Sequence, residues 1–437
     1  MSAPLPRLSY AAVLRVPHAR RAFLAALVGR LSYGTVSVAL LLSVTRATGS
    51  YTLAGTVMAL FGAAGVVLSP YRAGLVDRYG PRRALIPMAL LYAGLLGALA
   101  AAAWRPGAPA VLLASGAAVA GACAPPLGPA MRAVWAELLA DRALLRRAYS
   151  LDGVAEELLY VTGPLVVGVM AGFGPPAAGV LLSALLVAVG TLAFALSPAT
   201  AAVRPAGRPE SRPGQGEVLS CGAPVQPVVV AAGVGAALSA VELLVVAFAG
   251  QRHLGDGVAA WVLAALSAGS AVGGLLYGAV GGRGSARTRL AFLALGLGLA
   301  LAAAGLARGA GTLAVAVGCA GLFVAPALTT AYLIADEAAP PGFRTRAGAW
   351  VNTAVNAGSA AGAAGVGLLV DRLPPALCFA VAGAVAAATV PARLRDGGHA
   401  RRRRRTAAGP APASARRPGG TGGADCGTGV EQDVPHS

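Results

Sequence analysis

Gly74-Leu75-Val76-Asp77-Arg78-Tyr79-Gly80-Pro81-Arg82-Arg83 places four charged side chains in ten residues, in a chain where only 12% of residues are charged. The stretch lies between two long apolar runs, 52–71 and 84–104. Gly80 lets the backbone turn sharply. Arg82 and Arg83 suit an anionic headgroup layer. Asp77 can accept hydrogen bonds from a helix N-terminus, where the dipole is positive.

Outward from this loop the same alternation repeats. Apolar stretches long enough to cross a bilayer, about 20 residues each, fall at 22–44, 52–71, 84–104, 109–131, 149–172, 175–197, 226–250, 257–280, 289–307, 311–334, 347–370 and 374–392. Arginines gather on alternate connections: Arg7, Arg15, Arg20 and Arg21; Arg72, Arg78, Arg82 and Arg83; Arg132, Arg142, Arg146 and Arg147; Arg204, Arg208 and Arg212; Arg283, Arg287 and Arg289; Arg344 and Arg346. The intervening connections hold only Arg46, Arg105, Arg252, Arg308 and Arg372. Positive residues are retained on the cytoplasmic side. The expectation is an all-α integral membrane protein of twelve spans in the cytoplasmic membrane, with both termini cytoplasmic.

The 437 residues are 57% hydrophobic, against about 25% charged residues in an ordinary soluble domain. The net charge of +18 sits in loops and tails flanking apolar segments, which points to anionic lipid rather than nucleic acid. All 35 basic residues are arginine. The five cysteines, Cys123, Cys221, Cys319, Cys378 and Cys426, show no metal or disulfide spacing. No phosphate-binding Gly-rich loop with a Lys, no HExxH and no Gly-x-Ser-x-Gly occurs, so neither ATP-driven transport nor an intramembrane enzyme is supported, and no cofactor is expected.

The spans divide into a cytoplasmic N-terminus 1–21, a first half 22–197, a Pro/Gly/Arg-rich cytoplasmic linker 198–225, a second half 226–392 and an Arg-rich tail 393–437 with Arg401 to Arg405 in a run. The tail's composition cannot bury enough apolar surface to fold. The halves read as repeats. A shift of 199 positions lays Arg147, Ala148, Ala155, Gly163, Val167, Gly168, Pro175 and Pro176 on Arg346, Ala347, Ala354, Gly362, Val366, Gly367, Pro374 and Pro375. Internal repeats are typical of secondary transporters. Glycines four apart (Gly168 and Gly172, Gly269 and Gly273, Gly274 and Gly278, Gly358 and Gly362) predict close helix packing.

The opening loop resembles the signature loop of the major facilitator superfamily, roughly Gly-x-Leu-x-Asp-Arg-x-Gly-x-Arg-Arg. Asp77, Arg78, Gly80, Arg82 and Arg83 match it, while Ala73 stands at the place of the leading Gly and Gly74 is displaced beside it. Gly278 to Arg289 is a degenerate counterpart without the Asp. The resemblance covers residues 20–392. It implies two six-helix pseudo-repeat halves rocking about a central site, with the first, fourth, seventh and tenth helices lining it. It also implies that Asp77 meets the start of the eleventh helix, near Arg346 to Trp350, and stabilises an outward-facing state.

Five ionisable side chains fall well within spans: Arg30, Asp152, Glu156, Glu157 and Glu242. Charges are costly in a bilayer, so each is a functional candidate. Arg30 could serve as a substrate-anion site, as counter-ion to Glu157, or in a structural pair. Glu156 points about 100° from Glu157, and the repeat sets Asn356 opposite Glu157. Asp152, Arg132 and Arg147 are expected to form inner-gate salt bridges. Glu242 stands alone on the seventh span. Pro125, Pro126 and Pro129 interrupt the fourth span and Pro326 the tenth. The expected function is proton-coupled export, by a monomer, of a small amphipathic drug or metabolite. The alternatives are a sugar or small-metabolite symporter, for which Asn352, Asn356, Tyr33 and Trp261 are the available groups, and a transport-inactive sensor or scaffold acting through its basic tail.

Overall fold

The computed structural model describes residues 10–203, 225–252, 257–280, 285–340, 342–370 and 372–390. The linker arginines Arg204, Arg208 and Arg212, together with Arg283 and the Arg401 to Arg405 run, lie outside the described residues. The described chain is helical: α1 (Tyr10–Arg15), α2 (Ala19–Thr48), α3 (Tyr51–Val67), α4 (Ser69–Tyr79), α5 (Pro81–Ala102), α6 (Ala110–Cys123), α7 (Leu127–Leu138), α8 (Arg142–Ala171) and α9 (Ala177–Ala195). A 3-10 turn at Pro198–Ala202 follows. The remaining helices are α10 (Val225–Gln251), α11 (Gly257–Ala279), α12 (Ala286–Ala304), α13 (Ala310–Ala338), α14 (Arg344–Leu369) and α15 (Pro375–Ala387).

Among the described residues, nine segments are long and apolar enough to cross a membrane, with α6 and α7 together counted as one, and ten if the bent pair α3–α4 is also one span. The expected spans 347–370 and 374–392 fall on α14 and α15. Neither qualifies by length and composition: α14 carries Arg344, Arg346, Asn352 and Asn356, and α15 has 13 residues.

Two spans are broken, and the local sequence says why. Pro70 has no N–H to continue the ladder of α3; the chain bends by 43° and restarts as α4. The consecutive Pro125 and Pro126 end α6 and let α7 begin at Leu127. Such breaks free carbonyls that lipid cannot satisfy, and side chains take over. Arg72 donates to the Gly65 and Gly121 carbonyls, and the Tyr33 hydroxyl donates to the Pro125 carbonyl. Arg72, expected in a loop, is therefore buried. Pro326 leaves α13 unbroken, and its carbonyl accepts from Thr330 Oγ1 at 2.7 Å.

In the first half α2 packs on α8 and α9; in the second α10 packs on α14 and α15. Glycine sets the closest crossings. A methyl at Gly163 of α8 would run into the Gly34 backbone of α2, and one at Gly362 of α14 into Ala236 of α10. These two glycines are partners in the 199-residue shift. On α11, Gly269 and Gly273 lie against the α13 backbone, whereas Gly274 meets Ala325 of α13 and Val154 of α8, and Gly278 meets Tyr10 of α1 and Ser150 of α8. Gly168 and Gly172 do not fit the close-packing expectation: Gly168 faces open space and Gly172 touches only the preceding turn.

The halves meet chiefly through α8 on α11 and α13, and through α4 and α7 on α14. The joining contacts gather at the ends carrying the alternate arginine-rich connections. At the other ends the turns bond within their own half: Gly107 N–H to the Ala47 carbonyl at 2.9 Å, and Arg252 to the Arg308 carbonyl. Among the described residues, no hydrogen bond or ion pair joins the halves there.

Candidate functional site

Helix α8 presents two polar stripes at helical spacing. Along one, Tyr149, Asp152 and Glu156 recur every three or four residues and so share a face. Asp152 and Glu156 meet two arginines. Arg30 of α2 lies 2.6 Å from Asp152 and 2.8 Å from Glu156; Arg132 of α7 lies 3.2 Å and 2.6 Å from the same two carboxylates. Arg30 and Asp152 are fully enclosed, while the Glu156 side chain keeps 24% of its surface exposed. Two cations and two anions sum to zero, which is how four charges can stay so far from water. Gly128, in the first turn of α7, lies beside both guanidiniums, where a methyl would make only ordinary contact. The Tyr149 hydroxyl donates to the Arg132 carbonyl at 3.1 Å. Across the interface, the Arg132 guanidinium stacks 3.8 Å above the Tyr332 ring of α13, a cation–π contact that ties the quartet to the other half.

The other stripe of α8 faces α11 of the second half. From the arginine-rich end inward, Arg147 donates to the Ala279 carbonyl at 3.2 Å, Ser150 touches Gly278, and Val154 touches Gly274. At the helix midpoint Glu157 accepts from the Ser270 hydroxyl. The second oxygen of Glu157 is buried and makes no hydrogen bond.

These two stripes correct three expectations. Arg30 does not pair with Glu157, because Glu157 sits on the face of α8 turned to α11 while Arg30 reaches the Asp152–Glu156 face. Asp152 does bridge to Arg132, but inside the quartet at depth rather than in a gate. Arg147 bonds a backbone carbonyl and makes no salt bridge with Asp152. The ion pairs between the halves are elsewhere: Arg142–Glu337 at 2.9 Å and Arg344–Glu137 at 3.0 Å, with Asp336 a further 3.5 Å partner of Arg344.

The signature-like loop lies beside this closed end. Gly80 has φ +83°, a backbone state that favours glycine. Just before it, Asp77 accepts from the Thr345 and Arg346 backbone N–H groups at 3.1 and 2.8 Å. Those are orphan donors in the first turn of α14, so a carboxylate of one half caps a helix of the other. The helix begins at Arg344, slightly before the expected start. Gly74 makes only ordinary contact with the Arg346 side chain. Arg78 lies over the Tyr79 ring at 5.2 Å, and Arg82 and Arg83 are exposed.

A family model described as the Major Facilitator Superfamily matches residues 22–250 and 228–421. The chain belongs to the major facilitator superfamily. As a member of this family of transporters it is a multi-pass membrane protein whose business is membrane transport. Solved structures share the superfamily fold at low identity. The human organic anion transporter MFSD10 (TETRAN) is 15% identical, with a TM-score of 0.63 over 86% of this chain and 99% of its own. A bacterial homologue of the iron transporter ferroportin, in its outward-facing state, is 13% identical, with a TM-score of 0.68 over 87% and 99%. Among curated proteins, none matches the sequence significantly.

Two further residues singled out from the sequence of this facilitator stand apart from the quartet. Glu242 of α10 is exposed and has no hydrogen-bond or ion-pair partner among the described residues. Asn356 of α14 is exposed and donates to the Asn352 carbonyl of its own helix at 2.8 Å. Sequence reasoning missed Tyr332, which carried no signal, Tyr149, whose signal was its helical spacing from Asp152, and the acids Glu137, Asp336 and Glu337, whose only signal was their place beside arginine-rich turns.

Proposed function

We propose that this facilitator is a secondary active transporter exporting small, amphipathic, positively charged molecules across the cytoplasmic membrane in exchange for protons. The arginine-rich face is taken as cytoplasmic by the retention of positive charge on that side. Among the described residues the hydrogen bonds and ion pairs between the halves lie at that face and at mid-depth, with none at the opposite ends, which supports an outward-open arrangement. Export then requires the α8–α11 and α4–α14 contacts to part, opening the site to the cytoplasm.

The observation that carries the coupling is Glu157. Its carboxylate spans the halves to Ser270, and its second oxygen has no partner. Parting of α8 from α11 removes Ser270 and admits water, so the proton affinity of Glu157 changes with access, as coupling demands. The charge preference follows from the quartet. Arg30 and Arg132 each face two carboxylates and have no charge left for an anion. Glu157 and Glu242 lie outside the neutral quartet, and the ring of Tyr160 is 57% exposed. Carboxylates beside aromatic faces favour a lipophilic cation. A sugar would need several free hydrogen-bonding groups, yet Tyr33 is spent on the Pro125 carbonyl and Asn356 on its own helix.

The test is reconstitution into liposomes with an imposed pH gradient, comparing lipophilic cations, lipophilic anions and sugars. Gradient-driven flux of cations alone is expected, lost in Glu157→Gln. Unchanged flux in both Glu157→Gln and Glu242→Gln would defeat the coupling assignment. Deleting residues 393–437 should leave flux intact; its loss would favour a scaffold acting through the tail.

A further inference from the structure

Helix α1 belongs to neither repeat, yet it touches both halves. It is bolted to the first half. Val13 is fully buried in the core that also holds Phe23, Leu145 and Tyr149. A tight turn returns the chain into α2, with Ala19 N–H donating to the Val16 carbonyl at 3.1 Å and His18 at φ +63°. Its packing partners are α8 and α2. From this anchor Tyr10 crosses to the second half, where its hydroxyl donates to the Leu275 carbonyl of α11.

The receiving surface is shaped for the phenol. Gly278 lies one turn on from Leu275, and a methyl there would collide with the Tyr10 hydroxyl and crowd Ser150 of α8. Next to it Arg147 donates to the Ala279 carbonyl. Leu275 and Ala279 are four apart, so both carbonyls lie on one face of the last turns of α11, where the helix dipole is negative; the Ala279 carbonyl is among the last four, which lack an intrahelical partner, while the Leu275 carbonyl takes the phenol as a second donor. Burial holds the Tyr10 phenol above its ordinary pKa despite Arg147 and Arg146 nearby, which keeps the hydroxyl a donor.

We infer that Tyr10–Arg15 is a strap that holds the arginine-rich face closed: anchored on the first half, it latches α11 through Tyr10 and must let go when the halves part. The strap pairs with the Asp77 cap. One half supplies a carboxylate acceptor to the N-terminus of α14 and two donors to the C-terminal turns of α11, so these contacts bind helix ends.

The inference rests on the reading that the halves part at this face, and the test separates the two. Spin labels at Ala140 and Ala338, with the five native cysteines replaced, report the distance across the face in the full chain in lipid nanodiscs, with no substrate present. Two distance populations are expected, closed and open. Tyr10→Phe removes one hydrogen bond and should lower the closed-to-open ratio about two- to tenfold. Gly278→Ala should lower it further. In a Tyr10→Ala background the Gly278→Ala effect should shrink, because the clash partner is gone. Two populations whose ratio ignores Tyr10→Phe, Tyr10→Ala and deletion of residues 1–15 alike would overturn the strap and leave alternating access standing. A single population in every variant would overturn both.

Discussion

Neutralising one member of the buried quartet should be far more damaging than neutralising two opposite members together. Asp152 is fully enclosed, 2.6 Å from Arg30 and 3.2 Å from Arg132. Asp152→Asn leaves two buried guanidiniums against the single carboxylate of Glu156, a net positive charge. Removing one partner of a buried pair costs about 3–5 kcal/mol, mostly the desolvation of the charge left behind. Arg30→Gln leaves the mirror-image excess of negative charge and should cost a similar amount. In Arg30→Gln with Asp152→Asn the cluster is Arg132 with Glu156, 2.6 Å apart, and neutral again. The double variant should therefore sit well above the sum of the singles, with a coupling of about 2–3 kcal/mol, within the range for residues sharing one network. The assay is thermal unfolding in detergent for all four members of the cycle, with liposome flux in parallel. Arg30→Gln with Glu157→Gln is the control, and it should show no rescue, because Glu157 lies on the other face of α8. Additive losses in the Arg30/Asp152 cycle, or rescue by Glu157→Gln instead, would refute the quartet.

Three other outcomes follow from the same geometry. Asp77→Ala withdraws both acceptors from the first turn of α14, and loss of such a cap, about 0.5–2 kcal/mol, should shift the spin-label distance distribution toward the open arginine-rich face. The Arg344–Glu137 pair is about a third exposed on each side, so its worth is about 0–1 kcal/mol; Arg344→Glu should change the distribution little and Glu137→Arg in that background should restore it, measured at low and high salt. A methyl at Gly358 would run into the Ala232 carbonyl of α10, whereas Gly168 faces open space. Gly358→Ala should cost about 1–3 kcal/mol by overpacking, while Gly168→Ala should be neutral or stabilising, both read as detergent melting temperatures.

The parts of this fold legible in the sequence are those set by one-dimensional patterns. Arginine alternation, apolar length, the Asp77–Gly80 turn and the Pro125–Pro126 break each depend on neighbours along the chain. Arg72 shows where that stops working. It reads as one more loop arginine, and only the carbonyls freed at Gly65 and Gly121 explain why it is buried. The charged residues within spans were found, but their partners were mismatched. The signal for the true arrangement was present, since Asp152 and Glu156 are four apart and so share a face while Glu157 is rotated from it. The contacts with Tyr332, Ser270 and Leu275 had no such signal, because they depend on how the two halves come together.

That division bears on where the working group lies. Arg30 is the charge most out of place in the sequence, yet in the structure it is neutralised within one half by two carboxylates. A contact confined to one half survives any rigid-body rocking and cannot by itself report which side is open. Glu157 bonds across the boundary to Ser270, and that bond must break if α8 and α11 part. A group that couples a proton to access needs an environment that differs between the two states. By that criterion the quartet, held within one half, is the poorer candidate, and Glu157, rather than Arg30, is the side chain that meets the requirement of the proposed coupling.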